Sequence, residues 1–177
     1  MSTPHIQLRR TTMADLPNIM SWVNDKEVTA YFAWGKQVTI EEEKRYLEKL
    51  LTSKNDRVYS IILGNQYIGQ CSINTIYWQA GNGRIFIALK KDAQGNGYAK
   101  RAIATLLKTG FENLKLHKLW LIVREDNFRG LHIYQNCGFR LEGLLREEYF
   151  VQDKYLNMVR MAITEEEYRQ FYRRPKI

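Results

Sequence analysis

Gln94-Gly95-Asn96-Gly97-Tyr98-Ala99 is the stretch of sequence that decides the fold. It follows an alternating, β-prone run over Arg84–Leu89 and leads into an amphipathic helical pattern over Tyr98–Leu114. The backbone N–H groups in the first turn of such a helix have no partner inside the helix, and the helix dipole places partial positive charge there. A strand, a glycine turn and a helix in this order therefore predict a phosphate-binding site.

The glycines and the neighbouring cations support the same prediction. Gly95 and Gly97 would let the backbone approach a pyrophosphate without interference from a Cβ atom. Lys100 and Arg101 add fixed positive charge at the same end of the helix. Two other nucleotide sites do not fit, because Lys100 occupies the third glycine position of G-x-G-x-x-G and no Gly-Lys-Ser/Thr follows. A solvated loop that closes a helix is the alternative interpretation of the turn.

Length and composition set the limits within which this turn is interpreted. The chain has 177 residues and a mass of 21.0 kDa, so we expect one domain over residues 1–177. Hydrophobic residues make up 45%, which argues against disorder, and no apolar run approaches the ~18 residues of a membrane helix. The N-terminus Met1–His5 does not resemble a signal peptide. Cys71 and Cys137 form no CxxC motif, and a reducing, cytoplasmic setting is predicted.

The net charge of +8 predicts an anionic partner. Nucleic acid, an anionic membrane surface and a polyphosphate cofactor would each satisfy it. The charge is spread along the chain, and the densest clusters are pairs such as Lys90-Lys91, Lys100-Arg101 and Arg173-Arg174. This spread argues against nucleic acid as the partner, and no membrane partner is expected. The sequence leaves a homodimer open.

Hydrophobic periodicity predicts a mixed α+β chain. An antiparallel meander includes the hairpin around Gly64-Asn65-Gln66 and feeds the glycine turn. A continuous apolar run, Lys118–Val123, predicts a central strand buried on both faces, so that strand, helix and strand form one βαβ crossover. Thr39 and Thr164 are predicted to cap helices. The aromatic segment Val28–Val38, which contains Gly35, either covers a core edge or lines an acceptor pocket.

Two motifs in this order resemble the GNAT acetyltransferases. Gln94, Gly97 and Ala99 match the Q/R-x-x-G-x-G/A phosphate motif of that family. About thirty residues later, Asn127–Phe139 resembles its N-x-x-A-i-x-l-Y-x-k-x-G-F segment, and Leu141–Arg146 resembles the motif that follows. The N-terminal half, with Asn24-Asp25 and Ile68-Gly69, is similar to the branch of ribosomal-protein N-terminal and polyamine acetyltransferases. The chain departs from the pattern at Gly130, where Ala is usual, and at Asn157, where the branch often has Asp.

The resemblance implies a GNAT-like fold with a mostly antiparallel sheet that splays at the cofactor site. It implies acetyl-CoA as the acetyl donor and no metal. The strand that ends at Ala88-Leu89 would diverge from the Lys118–Val123 strand, and the pantetheine arm would fill the gap. The residues expected to bind the cofactor are Ala88, Leu89, Gln94, Gly95, Asn96, Gly97, Tyr98, Ala99, Lys100 and Asn127. Asn127 alternatively caps a strand end.

The catalytic residues are expected at two places. Tyr134 matches the tyrosine of the family that protonates the departing thiolate, and packing alone is the alternative role. Glu148 is the candidate general base, with Glu147 and Glu142 as alternatives, because an amine must lose a proton to attack. A backbone N–H near Leu89 could stabilise the oxyanion. Cys137 has no His–carboxylate pair nearby and is expected to be a buried small hydrophobe. Direct transfer in a ternary complex is therefore predicted.

The acceptor is the least determined part of the prediction. A protein N-terminus or another small primary amine ranks first, and a polyamine or a nucleotide-linked amino sugar is the alternative. The basic charge argues mildly against a polyamine. A non-catalytic acetyl-CoA-binding regulatory module is the rival from a different class, since it would carry the same cofactor site.

Overall fold

A computed structural model describes residues 5–34 and 36–172. Gly35, Met1–Pro4 and the basic pair Arg173-Arg174 lie outside the described residues. The strands are β1 Ile6–Arg10, β2 Arg57–Leu63, β3 Gln66–Tyr77, β4 Asn82–Leu89, β5 Lys118–Arg124, β6 Arg140–Val151 and β7 Lys154–Thr164. The helices are α1 Leu16–Val23, α2 Lys26–Thr29, α3 Ile40–Thr52, α4 Tyr98–Lys108, α5 Phe128–Gln135 and α6 Glu165–Tyr172. Short 3₁₀ turns cover Met13–Asp15 and Lys91–Ala93, and a π turn over Thr109–Asn113 extends α4.

The strands form one seven-stranded sheet in the order β1-β2-β3-β4-β5-β7-β6. Strands β1 to β4 are antiparallel neighbours in chain order, which confirms the predicted meander. β4 and β5 are parallel and are connected through α4, which confirms the βαβ crossover. β7 lies between β5 and β6 and is antiparallel to both. The result is the predicted mixed α+β fold with a mostly antiparallel sheet.

The two faces of the sheet carry separate hydrophobic clusters. On one face, α4, α5 and α6 cover the larger cluster, where Ile103, Leu106 and Leu107 of α4 are fully buried. On the other face, α1, α2 and α3 cover a smaller cluster that includes Ala88 of β4. We call these the α4 face and the α1 face. Residues of a strand alternate between them, so Ile85 and Ile87 lie on the α4 face while Phe86 and Ala88 lie on the α1 face.

The prediction that β5 is buried on both faces is wrong. Leu119, Leu121 and Val123 are buried on the α4 face, whereas Trp120 and Ile122 on the α1 face are only half-buried. The reason is that α1 and α3 pack against β3 and β2, on the other side of the gap described below. The apolar residues of β5 therefore alternate between a buried face and a half-exposed face.

Both predicted helix caps are present. The hydroxyl of Thr39 accepts a hydrogen bond from the N–H of Glu42 at 3.2 Å, and Glu42 accepts one from the N–H of Thr39 at 2.9 Å. Thr164 and Glu167 make the same reciprocal pair at the start of α6. These boxes fix where α3 and α6 begin.

Candidate functional site

The parallel strands β4 and β5 diverge soon after they meet. They pair only over Asn82–Lys118, Gly83–Leu119 and Arg84–Trp120. β4 then continues to Leu89 along β3, and β5 continues to Arg124 along β7. Beyond this point the edges of β4 and β5 that face each other pair with no strand of residues 5–34 and 36–172. An extended molecule with amide groups can hydrogen-bond such an edge, as an added strand would.

Gly69 of β3 lies beside the end of β4, on the side of β4 that faces away from the gap. It pairs with Leu89 across the β3–β4 ladder, and a Cβ at Gly69 would lie 2.2 Å from the carbonyl oxygen of Ala88. Only a glycine lets β3 approach the end of β4 this closely. Ala88 and Leu89 are both buried at this end of the strand. The backbone of β4 next to the gap is thus held on its other side by a tightly packed neighbour.

The glycine turn lies directly after β4. Gly95 and Gly97 have φ angles of 83° and 75°, and Gly97 is the N-cap residue of α4. A Cβ at either glycine would meet no atom within 4 Å, so the space above the turn is open. The side chain of Gln94 turns back and donates to the carbonyl of Leu89 at 3.1 Å, and Asn96 donates to the carbonyl of Gln94 at 3.2 Å. The open turn with free helix N–H groups fits a phosphate group.

The start of α4 lies close to the end of α5. Lys100 is exposed, while Tyr98 and Ala99 are half-buried and pack on the main core. Burial raises the pKa of the Cys137 thiol to about 11, and the Lys100 ammonium opposes this rise. α4 and α5 are in contact, and Cys137 belongs to the core cluster on which Tyr98 and Ala99 pack. Cys137 itself is fully buried, as expected of a small hydrophobe.

Tyr134 lies in the last turn of α5, three residues before Cys137. Its ring packs edge-on against Phe139 at a centroid distance of 5.9 Å, and the side chain is half-buried. Burial raises the pKa of Tyr134 to about 12, so the phenol keeps its proton at neutral pH. No hydrogen-bond partner for its hydroxyl occurs among residues 5–34 and 36–172. The structure therefore brings the glycine turn and a protonated, unpaired tyrosine to neighbouring helix ends.

Asn127 is the N-cap of α5. Its Oδ1 accepts a hydrogen bond from the N–H of Gly130 at 2.9 Å. A Cβ at Gly130 would lie 2.7 Å from Asn127 Nδ2, so the glycine makes room for this capping side chain. The cap uses the oxygen of the amide and leaves its N–H groups to donate elsewhere. Gly130 in place of the usual Ala is explained by this packing.

Glu148 is an exposed residue of β6, and among the described residues no hydrogen bond or ion pair joins it to Tyr134 or to the glycine turn. It lies in a bulge of β6, between the pairs Leu145–Met158 and Tyr149–Leu156. The preceding Glu147 has a φ of 53°, and its N–H donates to Asn157 Oδ1 at 2.8 Å. A general-base role for Glu148 stays a prediction.

Asn157 joins three strands through its amide. Besides accepting from Glu147, it donates through Nδ2 to Glu125 Oε1 at 3.0 Å, just beyond the end of β5. An aspartate could accept the first bond but could not donate the second, and it would place a carboxylate against that of Glu125. The amide of Asn157 therefore ties the β6 bulge to the residue that follows β5.

The aromatic segment after α2 lies at the gap on the α1 face. Arg124, at the end of β5, donates to the carbonyl of Ala30 at 3.0 Å and lies 5.3 Å from the ring centre of Tyr31. Phe32 packs against Trp34 and against Phe86 of β4, with centroid distances of 4.6 and 5.3 Å. The segment therefore bridges β5 and β4, covers a core edge and forms one wall beside the gap.

A cleft of about 390 Å³ opens between α1 and the residues that follow β4. Its lining includes Asp25 and Asp92 together with Lys90 and Lys91, so its charges are mixed. Within the described ranges, no cluster of His, Cys, Asp and Glu side chains could hold a metal ion, and none of the helices is long and apolar enough to cross a membrane.

Glu43 is a carboxylate that the sequence did not single out. It faces the smaller core from α3, is 7% exposed, and no hydrogen bond to its side chain occurs within the described residues. Desolvation raises its pKa to about 7. Its position three residues after Ile40 and four before Leu47, both apolar, is the only sequence signal that it lies near the buried stripe.

We expect Glu43→Gln to stabilise the protein at pH 8 and not at pH 4.5. The folded-state pKa of about 7 is above the ordinary value of 4.5, so the folded chain binds more protons and its free energy of unfolding falls as the pH rises between these values. The neutral amide of Gln has no such cost, so the variant should keep the free energy of unfolding that the wild type loses at pH 8, on the order of 1–3 kcal/mol. Thermal melts at both pH values measure it, with Glu48→Gln, an exposed position of the same helix, as the control. Equal melting temperatures of wild type and Glu43→Gln at pH 8 would contradict the assignment.

Comparison with known proteins defines the class to which this geometry belongs. The sequence model of the "Acetyltransferase (GNAT) domain" family matches residues 5–140. The chain belongs to the GNAT acetyltransferase family and is an acetyl-CoA-dependent N-acetyltransferase. The predicted fold, donor and enzyme class are confirmed.

The similar proteins narrow the class further. Spermidine N(1)-acetyltransferase of Escherichia coli is 27% identical over 174 residues, covering 98% of this chain and 94% of that protein. The enzyme of the same name from Vibrio cholerae is 27% identical over 164 residues, covering 92% and 95%. The crystal structure of spermidine N-acetyltransferase from Vibrio cholerae in complex with CoA and spermine has a TM-score of 0.88, with 27% identity, and covers 93% of this chain and 98% of that one. These names favour the polyamine alternative over the protein N-terminus that was ranked first.

Proposed function

We propose that this enzyme N-acetylates the primary amine of a small molecule, which binds on the α1 face of the gap between β4 and β5. The observation that carries this proposal is the divergence of the two strands directly beyond Arg84 and Trp120. This divergence leaves a strand edge to which the acetyl donor can bind. The edge leads to the glycine turn at one end, and the aromatic segment lies beside it on the α1 face. The names of the relatives support a small amine over a protein substrate.

In this proposal the chain's own residues bind two parts of acetyl-CoA. The N–H groups from Gly95 to Ala99, with Lys100, bind the pyrophosphate of acetyl-CoA. The free edge of β4 at Ala88 and Leu89 binds the pantetheine amides, and Asn127 adds a donor from its Nδ2. These assignments agree with the openness of the turn and the unpaired edge. The bound donor supplies an activated acetyl thioester.

Tyr134 is the proposed acid. Transfer forms one nitrogen–carbon bond and breaks one carbon–sulfur bond; Tyr134 gives its proton to the sulfur, and the amine nitrogen releases one to solvent or to a carboxylate. A phenol held protonated by burial suits this role, because it donates without introducing a charge. Glu148 stays the proposed base, reached through water since it is exposed. A single domain over the whole chain, a cytoplasmic setting and a homodimer stay predictions.

The acceptor class is tested by a screen that records CoA-thiol release. We expect turnover with small primary amines and at least about 100-fold lower kcat/KM with peptides that offer only an N-terminus, since the aromatic segment narrows the entrance to the gap. Spermidine represents the class named by the relatives. Tight acetyl-CoA binding without thiol release on any amine would contradict the proposal and support the regulatory module instead.

A further inference from the structure

The point where β4 and β5 separate carries a cationic cluster on the α1 face. Arg84 and Trp120 form the last pair before the strands diverge. The guanidinium of Arg84 lies 5.9 Å from the ring centre of Trp120, and that of Arg160, on β7, lies 4.1 Å from the same ring. Both cations therefore stack on one indole at the inner end of the gap. All three side chains are half-buried, and we call them the Arg84–Trp120–Arg160 cluster.

The positive charge of this cluster is only partly compensated. The guanidinium of Arg84 makes neither a hydrogen bond nor an ion pair with any residue of the described ranges. Glu142 Oε2 lies 3.2 Å from Arg160 Nε, but Glu142 also pairs with Lys118. Lys118 and Arg160 thus share one carboxylate, and the Arg84 guanidinium pairs with no carboxylate of the described residues. In that setting a guanidinium without a counterion is poorly solvated, and an anion that approaches it is strongly attracted.

The cluster also holds a hydrogen-bond donor without an acceptor. Trp120 Nε1 is shielded from water and makes no hydrogen bond with the described residues. Such N–H groups normally find a partner in a folded protein. An oxygen anion at the cluster would accept a hydrogen bond from Trp120 Nε1, whereas Arg160 Nε already lies 3.2 Å from Glu142 Oε2. The oxygen Oδ1 of Asn74, which pairs with Arg84 across the β3–β4 ladder, is likewise unpartnered and could accept from a ligand N–H.

We propose that the Arg84–Trp120–Arg160 cluster binds an anionic oxygen group of the acceptor, so that the substrate is a primary amine that also carries a carboxylate or a phosphate. This inference rests on the proposed acetyl transfer at the gap and names the substrate class of the same site. The anionic group occupies the cluster where the strands meet, and the amine extends along the gap toward Tyr134. A polyamine is disfavoured at this cluster, because its ammonium groups would face Arg84 and Arg160, and the neighbouring carboxylate of Glu142 already pairs with Lys118 and Arg160.

The test compares amines that differ in the charge of the far group. The group far from the amine is a neutral hydroxyl in ethanolamine, a phosphate in O-phosphoethanolamine and a carboxylate in 5-aminopentanoate. In spermidine the rest of the molecule carries further ammonium groups. We expect kcat/KM to be at least about 10-fold higher for one of the anionic amines than for ethanolamine or spermidine, as one charge-assisted contact provides. The comparison of kcat/KM for O-phosphoethanolamine and for 5-aminopentanoate shows whether the cluster prefers a phosphate or a carboxylate.

Two variants assign the preference to the cluster. Arg84→Gln should lower the ratio of kcat/KM for the anionic amine over ethanolamine about 10- to 100-fold, and Arg84→Lys should restore part of it. Arg57 lies 5.4 Å from the ring centre of Trp78, the same kind of stack outside the cluster, so Arg57→Gln should leave the ratio unchanged. Calorimetric titration of the enzyme–CoA complex with each amine gives the same order of affinity independently of turnover.

Three outcomes would overturn the inference. If spermidine is the best acceptor, or if Arg84→Gln leaves the anionic-over-neutral ratio unchanged, the cluster does not select the acceptor, while acetyl transfer at the gap still stands. If no amine releases thiol and none binds the enzyme–CoA complex, the proposed function fails together with the inference.

Discussion

Tyr134→Phe is expected to lower kcat by about 10²–10⁴-fold while the KM for acetyl-CoA changes little. The substitution removes only the hydroxyl, which has no hydrogen-bond partner among the described residues, and it keeps the ring against Phe139. Because no contact of the folded protein is lost, the melting temperature should stay close to that of the wild type. Steady-state kinetics with a saturating amine, together with a thermal melt, measure both quantities.

Tyr172→Phe is the matched control. The Tyr172 hydroxyl donates to the carbonyl of Cys137 at 3.1 Å, so this change also removes a phenol next to α5, but one engaged in a structural bond. It should cost about 0.5–1.5 kcal/mol of stability and leave kcat within a few-fold of the wild type. If Tyr134→Phe retains the wild-type kcat and pH–rate profile, Tyr134 is a packing residue and the proton reaches the sulfur by another route.

Gly97→Glu is expected to abolish acetyl-CoA binding and to leave the fold intact. Position 97 has a φ of 75° and open space above it, which the new carboxylate would fill next to the helix N–H groups. A negative charge there competes with the pyrophosphate and repels it. We expect at least a 100-fold rise in Kd, measured by isothermal titration calorimetry.

Gly64→Glu provides the control for charge and for backbone strain. Gly64 has a φ of 61°, a Cβ there would also meet no atom within 4 Å, and it lies in the β2–β3 hairpin turn, away from the gap. Both variants should lose about 1–2 kcal/mol of stability, because each forces a side chain into the left-handed region. Only Gly97→Glu should lose the cofactor. Micromolar binding by Gly97→Glu would rule out the turn as the pyrophosphate site.

The sequence predicted well the parts of the fold that local signals determine. The turn at Gly95 and Gly97 needs positive φ angles, and the helix caps at Thr39 and Thr164 depend on residues three positions apart. The order of strand, turn and helix then follows from hydrophobic periodicity. The resemblance of two motifs placed the donor site and Tyr134 within one family, and the family match agrees with it.

The acceptor side could not be predicted in the same way, because it is assembled from distant strands. Trp120 belongs to an apolar run that is typical of a buried strand, and only the early divergence of β4 and β5 leaves it half-exposed. Arg84 and Arg160 are separated by 76 positions, so no local pattern indicates that they stack on one ring. Asn157 appeared as a departure from the family, and its reason became visible only when Glu125 and Glu147 were placed beside it.

A crystal structure of the enzyme with CoA tests the central claim most directly. We predict that the pyrophosphate oxygens accept hydrogen bonds of about 2.7–3.2 Å from N–H groups between Gly95 and Ala99, and that the pantetheine arm pairs with the free edge of β4. The CoA sulfur should lie within about 3–4 Å of the Tyr134 hydroxyl. A CoA molecule bound away from the gap, or one whose sulfur points away from Tyr134, would contradict the account.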